Sequence, residues 1–145
     1  MKIRRYREKD IKTLAALEKD NFSDPWSEDS LRNSYGTDIL VAFDEPDDED
    51  VAGYIIIRTV ADESELLRIC VSTALRKHGI GWRLISEGIN LAKDDGATKM
   101  FLEVRSQNSP AIALYRKAGF RDEGLRKNYY SDPQDDAVIM VRSNK

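Results

Sequence analysis

Between residues 38 and 71 three runs rich in Ile, Val and Leu follow one another, 38–43, 51–60 and 65–71, and no other stretch constrains the fold as much. Their composition predicts strands, and their spacing predicts an antiparallel meander. The first two runs are separated by Asp44-Glu45-Pro46-Asp47-Asp48-Glu49-Asp50, six acids around a proline. This reads as a hairpin tip, either a solvated loop or an attractor for a basic substrate.

The flanking patterns supply helices to cover such a sheet. Residues 2–6 read as a short strand, after which Asp10 can cap a helix carrying Ile11, Leu14, Ala15, Ala16 and Leu17 at helical spacing. Pro25-Trp26 restarts the chain, and Ser27 can cap a second short helix toward Tyr35. Residues 80–93 place Ile80, Leu84, Ile85, Ile89 and Ala92 on one face of a long helix, and Gly96 stands where it stops. Residues 99–105 form another strand, Ser109-Pro110 opens a helix over 111–118 that Gly119 closes, and 120–130 and 137–142 finish as strands. The predicted order is β-α-α-β-β-β-α-β-α-β-β, an α/β (α+β) fold with a mixed central sheet and helices on both faces. A single domain over residues 1–145 is expected, with one core built from the 41% of residues that are hydrophobic.

Charge and residue counts narrow the chemistry. Lys and Arg number 23 against 26 Asp and Glu, a formal charge of -3, without the clustered basic surplus that neutralising a phosphate backbone takes. No direct nucleic-acid binding is expected, and a basic partner suits the chain better. One Cys, Cys70, and one His, His78, cannot supply the four N/S ligands of a structural zinc site, so no metal is expected. Cys70 cannot form an intrachain disulfide and reads as a buried structural thiol. The longest near-apolar stretch, 51–57, falls far short of the roughly 18 residues of a membrane span. No membrane partner is expected, and a cytoplasmic location is. His78 lies in a loop-like stretch, so catalysis falls to carboxylates, Tyr or backbone groups.

Two segments carry chemical signals. Residues 67–81 read as a strand, a loop with Arg76-x-x-Gly79-x-Gly81, and the start of the long helix, whose first amides lack partners. Gly79 and Gly81 let an anion approach those N–H groups while Arg76 and Lys77 add charge, which suits a pyrophosphate; the other reading is an ordinary glycine-containing turn. The second segment is Leu102-Glu103-Val104-Arg105, Asn108, Ala111-Ile112-Ala113-Leu114-Tyr115, Gly119-Phe120, Arg126-Lys127-Asn128-Tyr129-Tyr130 and Asp136-Ala137-Val138-Ile139-Met140. On a strand Phe101, Glu103 and Arg105 share one face and Leu102 and Val104 the other. Glu103 can be a base, directly or through water, or a solvated carboxylate paired with Arg105. Tyr115 can be a proton donor or a core-edge tyrosine.

The glycine loop resembles the acetyl-CoA loop of the GNAT superfamily of N-acetyltransferases. The second segment, with Pro25-Trp26-Ser27, is similar to the ribosomal-protein alanine N-acetyltransferases within it, and the likeness spans most of the chain. The resemblance implies acetyl-CoA as acetyl donor, held by Ile69, Cys70 and Val71 along a strand edge, by Arg76, Lys77, His78, Gly79, Ile80, Gly81 and Trp82 around the pyrophosphate, and by Asn108. Asn108 can equally support its own turn. The resemblance further implies Glu103 as general base and Tyr115 as general acid. It places Trp26, Tyr129 and Tyr130 on the acceptor, although the two tyrosines can also be strand residues without a ligand. The implied acceptor is a protein N-terminus, that of the eighteenth small-subunit ribosomal protein; other N-termini, small amines and a non-catalytic acyl-CoA-binding module are the alternatives. Three departures fall in the donor region: no proline in Ser72-Thr73-Ala74, Cys70 in place of a small apolar residue, and Trp82 in place of a smaller or basic one.

Overall fold

The three apolar runs form the meander that their spacing predicts. In the computed structural model, which describes residues 1–33, 36–43, 51–72 and 79–144, they are β2 (Thr37–Phe43), β3 (Val51–Val60) and β4 (Glu63–Val71), paired antiparallel in that order. Before them come β1 (Lys2–Arg5), a 3-10 turn at Glu8–Asp10, α1 (Ile11–Asn21) and α2 (Glu28–Asn33). After them come α3 (Ile80–Asp94), β5 (Lys99–Arg105), α4 (Ser109–Lys117), β6 (Arg121–Tyr130) and β7 (Asp135–Ser143). The acidic segment 44–50 and the residues Arg76, Lys77 and His78 lie outside the described residues.

All seven strands join one mixed sheet in the order β1-β2-β3-β4-β5-β7-β6, in which only β4 and β5 run parallel. Helices cover both faces. Ile55 and Ile57 of β3 pack in one core with Leu84, Ile85 and Ile89 of α3 and Tyr115 of α4. Tyr54 and Ile56, one residue out of phase, pack in a second core with Ile11 and Leu14 of α1 and Leu31 of α2. Burial on both faces is why β3 is an almost unbroken apolar run rather than an alternating one. Burying each such side chain contributes roughly 1.5–3 kcal/mol against the chain entropy lost on folding.

Two helix starts differ from expectation. Asp10 does not cap α1 with its side chain. It is buried, accepts the Arg7 amide at 2.7 Å and pairs with Arg4 at 2.7 Å, so its carboxylate closes the preceding 3-10 turn instead. Asn108, not Ser109, caps α4, its Oδ1 accepting the Ala111 amide at 3.3 Å. Ser27 does cap α2, its Oγ accepting the Ser30 amide at 3.1 Å.

The feature that creates a site is the short contact between the two parallel strands. β4 pairs with β5 only through Glu63–Leu66 and Lys99–Leu102. Beyond Leu66, β4 stays on β3 and β5 stays on β7, so the two halves of the sheet part. A β-bulge lies at the parting: Ile57 is opposite Leu66 and Ile56 is opposite Arg68, leaving Leu67 as the extra residue. An inserted residue bends and twists its strand, which re-aims the side chains after it.

Candidate active site

Beside the parting is a cleft of ≈190 Å³ whose lining includes Asp24, Arg68, Glu103, Arg105, Asn108 and Tyr130. Its walls come from the α1–α2 connection on one side and the end of β6 on the other, with the end of β5 as floor. Glu103, Asn108 and Tyr130, singled out from the sequence for different roles, line it together, while Tyr115, Tyr129 and Trp26 do not.

Glu103 is half-buried on β5, opposite Ile139 of β7. Its charge partner is Arg126 of β6, with Nε 3.5 Å from Oε2, and not Arg105. That contact is an ion pair without hydrogen-bond geometry: Oε2 is buried and accepts no hydrogen bond among the described residues. Arg105 instead stacks its guanidinium 4.3 Å from the centre of the Tyr130 ring and donates to the Pro133 carbonyl at 2.6 Å.

Tyr115 is buried in the α3–α4 core, edge-on to Phe120 with ring centres 6.0 Å apart. Burial, and then the neighbouring Tyr130, push its phenol well above the ordinary tyrosine value, so it is protonated through the neutral range. Glu103 faces the other way. Its neighbours Leu102 and Val104 enter the core that holds Tyr115, and strand alternation sends Glu103 to the opposite face of the sheet.

The adjacent tyrosines Tyr129 and Tyr130 separate. Arg126 is opposite Ala137 and Tyr130 is opposite Asp135, so three residues of β6 face one of β7. The bulge turns Tyr130 into the cleft and leaves Tyr129 50% exposed, beside Arg126 and edge-on to Tyr130. Burial, then Glu103 and Tyr129, push the Tyr130 phenol up to about 12. Trp26 is not in this cleft. It lines two other depressions over α1 and α2, one of them with Pro25, Asp29 and Arg58.

On the donor side, Ile69, Cys70 and Val71 form the part of β4 that has left β5. Cys70 is buried against the α1 face. Gly79 is the N-cap of α3 in the left-handed conformation (φ 78°), which only glycine adopts cheaply. A Cβ on Gly81 would meet Leu114 Cδ2 of α4 at 3.3 Å, a close contact with the end of a flexible side chain. Ile80 is buried in the core, which leaves only its backbone for a ligand. Trp82 is 37% exposed under the Lys117 ammonium, which stands 4.8 Å from the ring centre. Asn108 spends its side-chain oxygen on the α4 cap, and its NH2 is left for the cleft. Among the described residues no group of three or more His, Cys, Asp or Glu is placed to hold a metal ion, and no helix is long and apolar enough to cross a membrane.

Sequence reasoning missed Glu18 and Arg68. Glu18 is completely buried, and its carboxylate accepts the Tyr54 hydroxyl, the Trp26 amide at 2.9 Å and Arg68 Nε at 3.2 Å. The signal was present: Glu18 recurs in phase with Ile11, Leu14 and Ala15, and Arg68 interrupts an aliphatic strand. Tyr54, between burial and the Glu18 carboxylate, is held far above the ordinary tyrosine range.

The sheet thus splits at one parallel pair, beside a cleft that holds a half-buried carboxylate and a tyrosine, Glu103 and Tyr130. The Acetyltransferase (GNAT) family model matches residues 11–120, and the chain belongs to this family of acetyltransferase enzymes. It is 32% identical over 134 residues to the [ribosomal protein bS18]-alanine N-acetyltransferase of Escherichia coli (strain K12), covering 91% of this chain and 90% of that protein. The enzyme of that name from Haemophilus influenzae is 34% identical over 135 residues, covering 91% of each. The crystal structure of the ribosomal-protein-S18-alanine N-acetyltransferase from Escherichia coli superposes with a TM-score of 0.87 at 28% identity, over 98% of this chain and 92% of that one.

Proposed function

We propose that the protein transfers the acetyl group of acetyl-CoA to the α-amine of a protein N-terminus, with the N-terminal alanine of ribosomal protein bS18 as acceptor. The parting of β4 from β5 with Glu103 and Tyr115 on opposite faces carries the proposal. The relatives named for that acceptor support it over nine-tenths of the chain. A cytoplasmic location goes with such an acceptor.

The residues present suit acetyl-CoA as donor. The part of β4 that has left β5, at Ile69, Cys70 and Val71, offers backbone groups to the amides of the pantetheine arm, as an added strand would. Backbone N–H groups there can also polarise the thioester oxygen. The first turn of α3, at Gly79, Ile80, Gly81 and Trp82, presents amides to the pyrophosphate, with the charges of Arg76, Lys77 and His78 just upstream. Asn108 donates from its free NH2.

On the acceptor side Glu103 removes a proton from the amine, directly or through water, as the nitrogen–carbon bond forms. The carbon–sulfur bond breaks, and Tyr115 gives its proton to the departing thiolate. Tyr130 and Tyr129 hold the peptide backbone, Tyr130 from inside the cleft, and Trp26 flanks the chain further out. An α-amine, with a pKa of about 7.7–8.0 against roughly 10.4 for lysine, costs about 3.4 kcal/mol less to present neutral at pH 7. One half-buried carboxylate is therefore enough for an N-terminus.

A thiol-release assay with acetyl-CoA and a panel of N-terminal hexapeptides, alongside lysine peptides and polyamines, tests the proposal. Turnover confined to peptides with a free α-amine, fastest for those beginning with Ala, is expected. Turnover of polyamines alone would refute it, and no thiol release with any amine would favour a non-catalytic acyl-CoA-binding module.

A further inference from the structure

Arg68 emerges from β4 one residue after the bulge at Leu67, where the sheet parts, and its guanidinium is engaged through Nε, one terminal nitrogen and its flat face. Nε donates to the buried Glu18 carboxylate at 3.2 Å. One terminal nitrogen donates to the Asp24 carbonyl at 2.6 Å and to Asp24 Oδ1 at 3.2 Å. The flat face covers the Phe22 ring at 4.1 Å. Glu18 takes the Trp26 amide at 2.9 Å with the same oxygen that receives Arg68, and its backbone carbonyl takes the Phe22 amide at 2.9 Å. Apart from the Arg68–Glu18 bond itself, these contacts bear on Phe22, Asp24 and Trp26, and Phe22 and Asp24 line the cleft.

We propose that Arg68, seated on Glu18, is a positioning residue that fixes the Phe22–Asp24 wall of the cleft and so sets how tightly the acceptor binds. This rests on the proposed acetyl transfer to an amine entering that cleft. Buried ion pairs add little net stability compared with apolar packing of the same volume, whereas a planar, five-donor guanidinium can hold two chain segments in one geometry. The pair's position supports the second use: Glu18 is fully buried and the Arg68 side chain is 14% exposed, while Asp24, at 77%, opens to the cleft side. Lysine cannot replace it, because one ammonium cannot reach Glu18 and Asp24 and also lie flat on Phe22. Arg68 lines the cleft with Glu103 but has no hydrogen bond or ion pair to Glu103 or Tyr115 among the described residues, so its loss is expected to affect binding of the acceptor more than the chemical step.

The test is a separation of steady-state constants in Arg68→Gln and Arg68→Lys. Arg68→Gln is expected to raise the acceptor KM by about tenfold, with kcat within about threefold and acetyl-CoA affinity by calorimetry unchanged, the size of a lost charged hydrogen bond. Arg68→Lys should recover only part of the KM. Hydrogen exchange at the Trp26 amide should quicken in both variants. An acceptor KM within about twofold of wild type, or an equal loss for acceptor and acetyl-CoA, would overturn the proposal. If Arg68→Gln does not fold, Phe22→Leu removes only the stacked ring and should raise the acceptor KM alone; an unchanged KM there is equally fatal. If the wild-type protein acetylates only lysine or polyamine, the proposed acceptor is wrong, and the same separation is then read with that amine.

Discussion

Glu103 on β5 and Tyr115 on α4 stand on opposite faces of the sheet, Tyr115 in the core that Leu102 and Val104 enter and Glu103 turned away from it. In the proposed reaction Glu103 as base and Tyr115 as acid act from these two faces. Glu103→Gln and Tyr115→Phe should each lower kcat by roughly 10²–10⁴-fold while leaving acetyl-CoA affinity nearly intact, the usual range for general acid–base groups. Rapid-mixing turnover beside calorimetry measures both. Near-wild-type turnover in the two variants would leave the reaction to positioning and backbone amides.

The donor side depends on two glycines for different reasons. Gly79 has no described atom within 4 Å of a built Cβ, but its φ of 78° strains any other residue. Gly79→Ala should cost about 1–2 kcal/mol in urea unfolding and weaken acetyl-CoA binding. Gly53 of β3 is the reverse, since its Cβ would stand 2.7 Å from the Cys70 carbonyl oxygen. A backbone atom in a sheet cannot step aside, so Gly53→Ala should cost roughly 1–3 kcal/mol and disturb the β4 segment proposed to hold the donor. Stability unchanged in Gly53→Ala would contradict the close β3–β4 approach.

Stability should fall in strong alkali. Tyr54, Tyr115 and Tyr130 all have folded-state pKa values raised above the ordinary value of about 10, the last to about 12, with burial the largest cause in each. Above about pH 10 the unfolded chain releases these protons while the folded chain keeps them, so the unfolded state gains and stability declines as pH rises through that window. In acid the sign reverses. Burial raises Asp10, but hydrogen bonds from Arg4 and the Arg7 amide outweigh it, so its folded pKa is lowered and its contribution is lost as pH falls below the ordinary aspartate value of about 3.9 toward the lowered one. Denaturation midpoints across pH should show both limbs, with a shallower alkaline limb in Tyr130→Phe.

Local pattern made the elements legible, and long-range pairing made the site. The bounds of β3 and β5 and the start of α3 follow directly from aliphatic runs and helical spacing, because each element carries its own period. Nothing local announces that β4 and β5 pair for only four residues, since that depends on which strands claim each edge. The bulge that separates Tyr130 from Tyr129 is equally nonlocal, being a mismatch in length between β6 and β7. Asp10 misled because a carboxylate before a helix suits a cap, yet Arg4, brought alongside by β1, binds it more strongly. Glu18 lies in phase with Ile11, Leu14 and Ala15, but nothing local says that Arg68 satisfies it, which only the fold shows.

The central claim is that the acetyl group goes to an α-amine. Mass spectrometry should locate it on a peptide that begins with Ala and carries basic residues, including lysine, after incubation with the protein and acetyl-CoA. Fragment ions placing the acetyl group on the N-terminal nitrogen, with lysine side chains unmodified, are the predicted result. Acetyl found mainly on lysine Nζ, or faster turnover of spermidine than of any such peptide, would contradict the account.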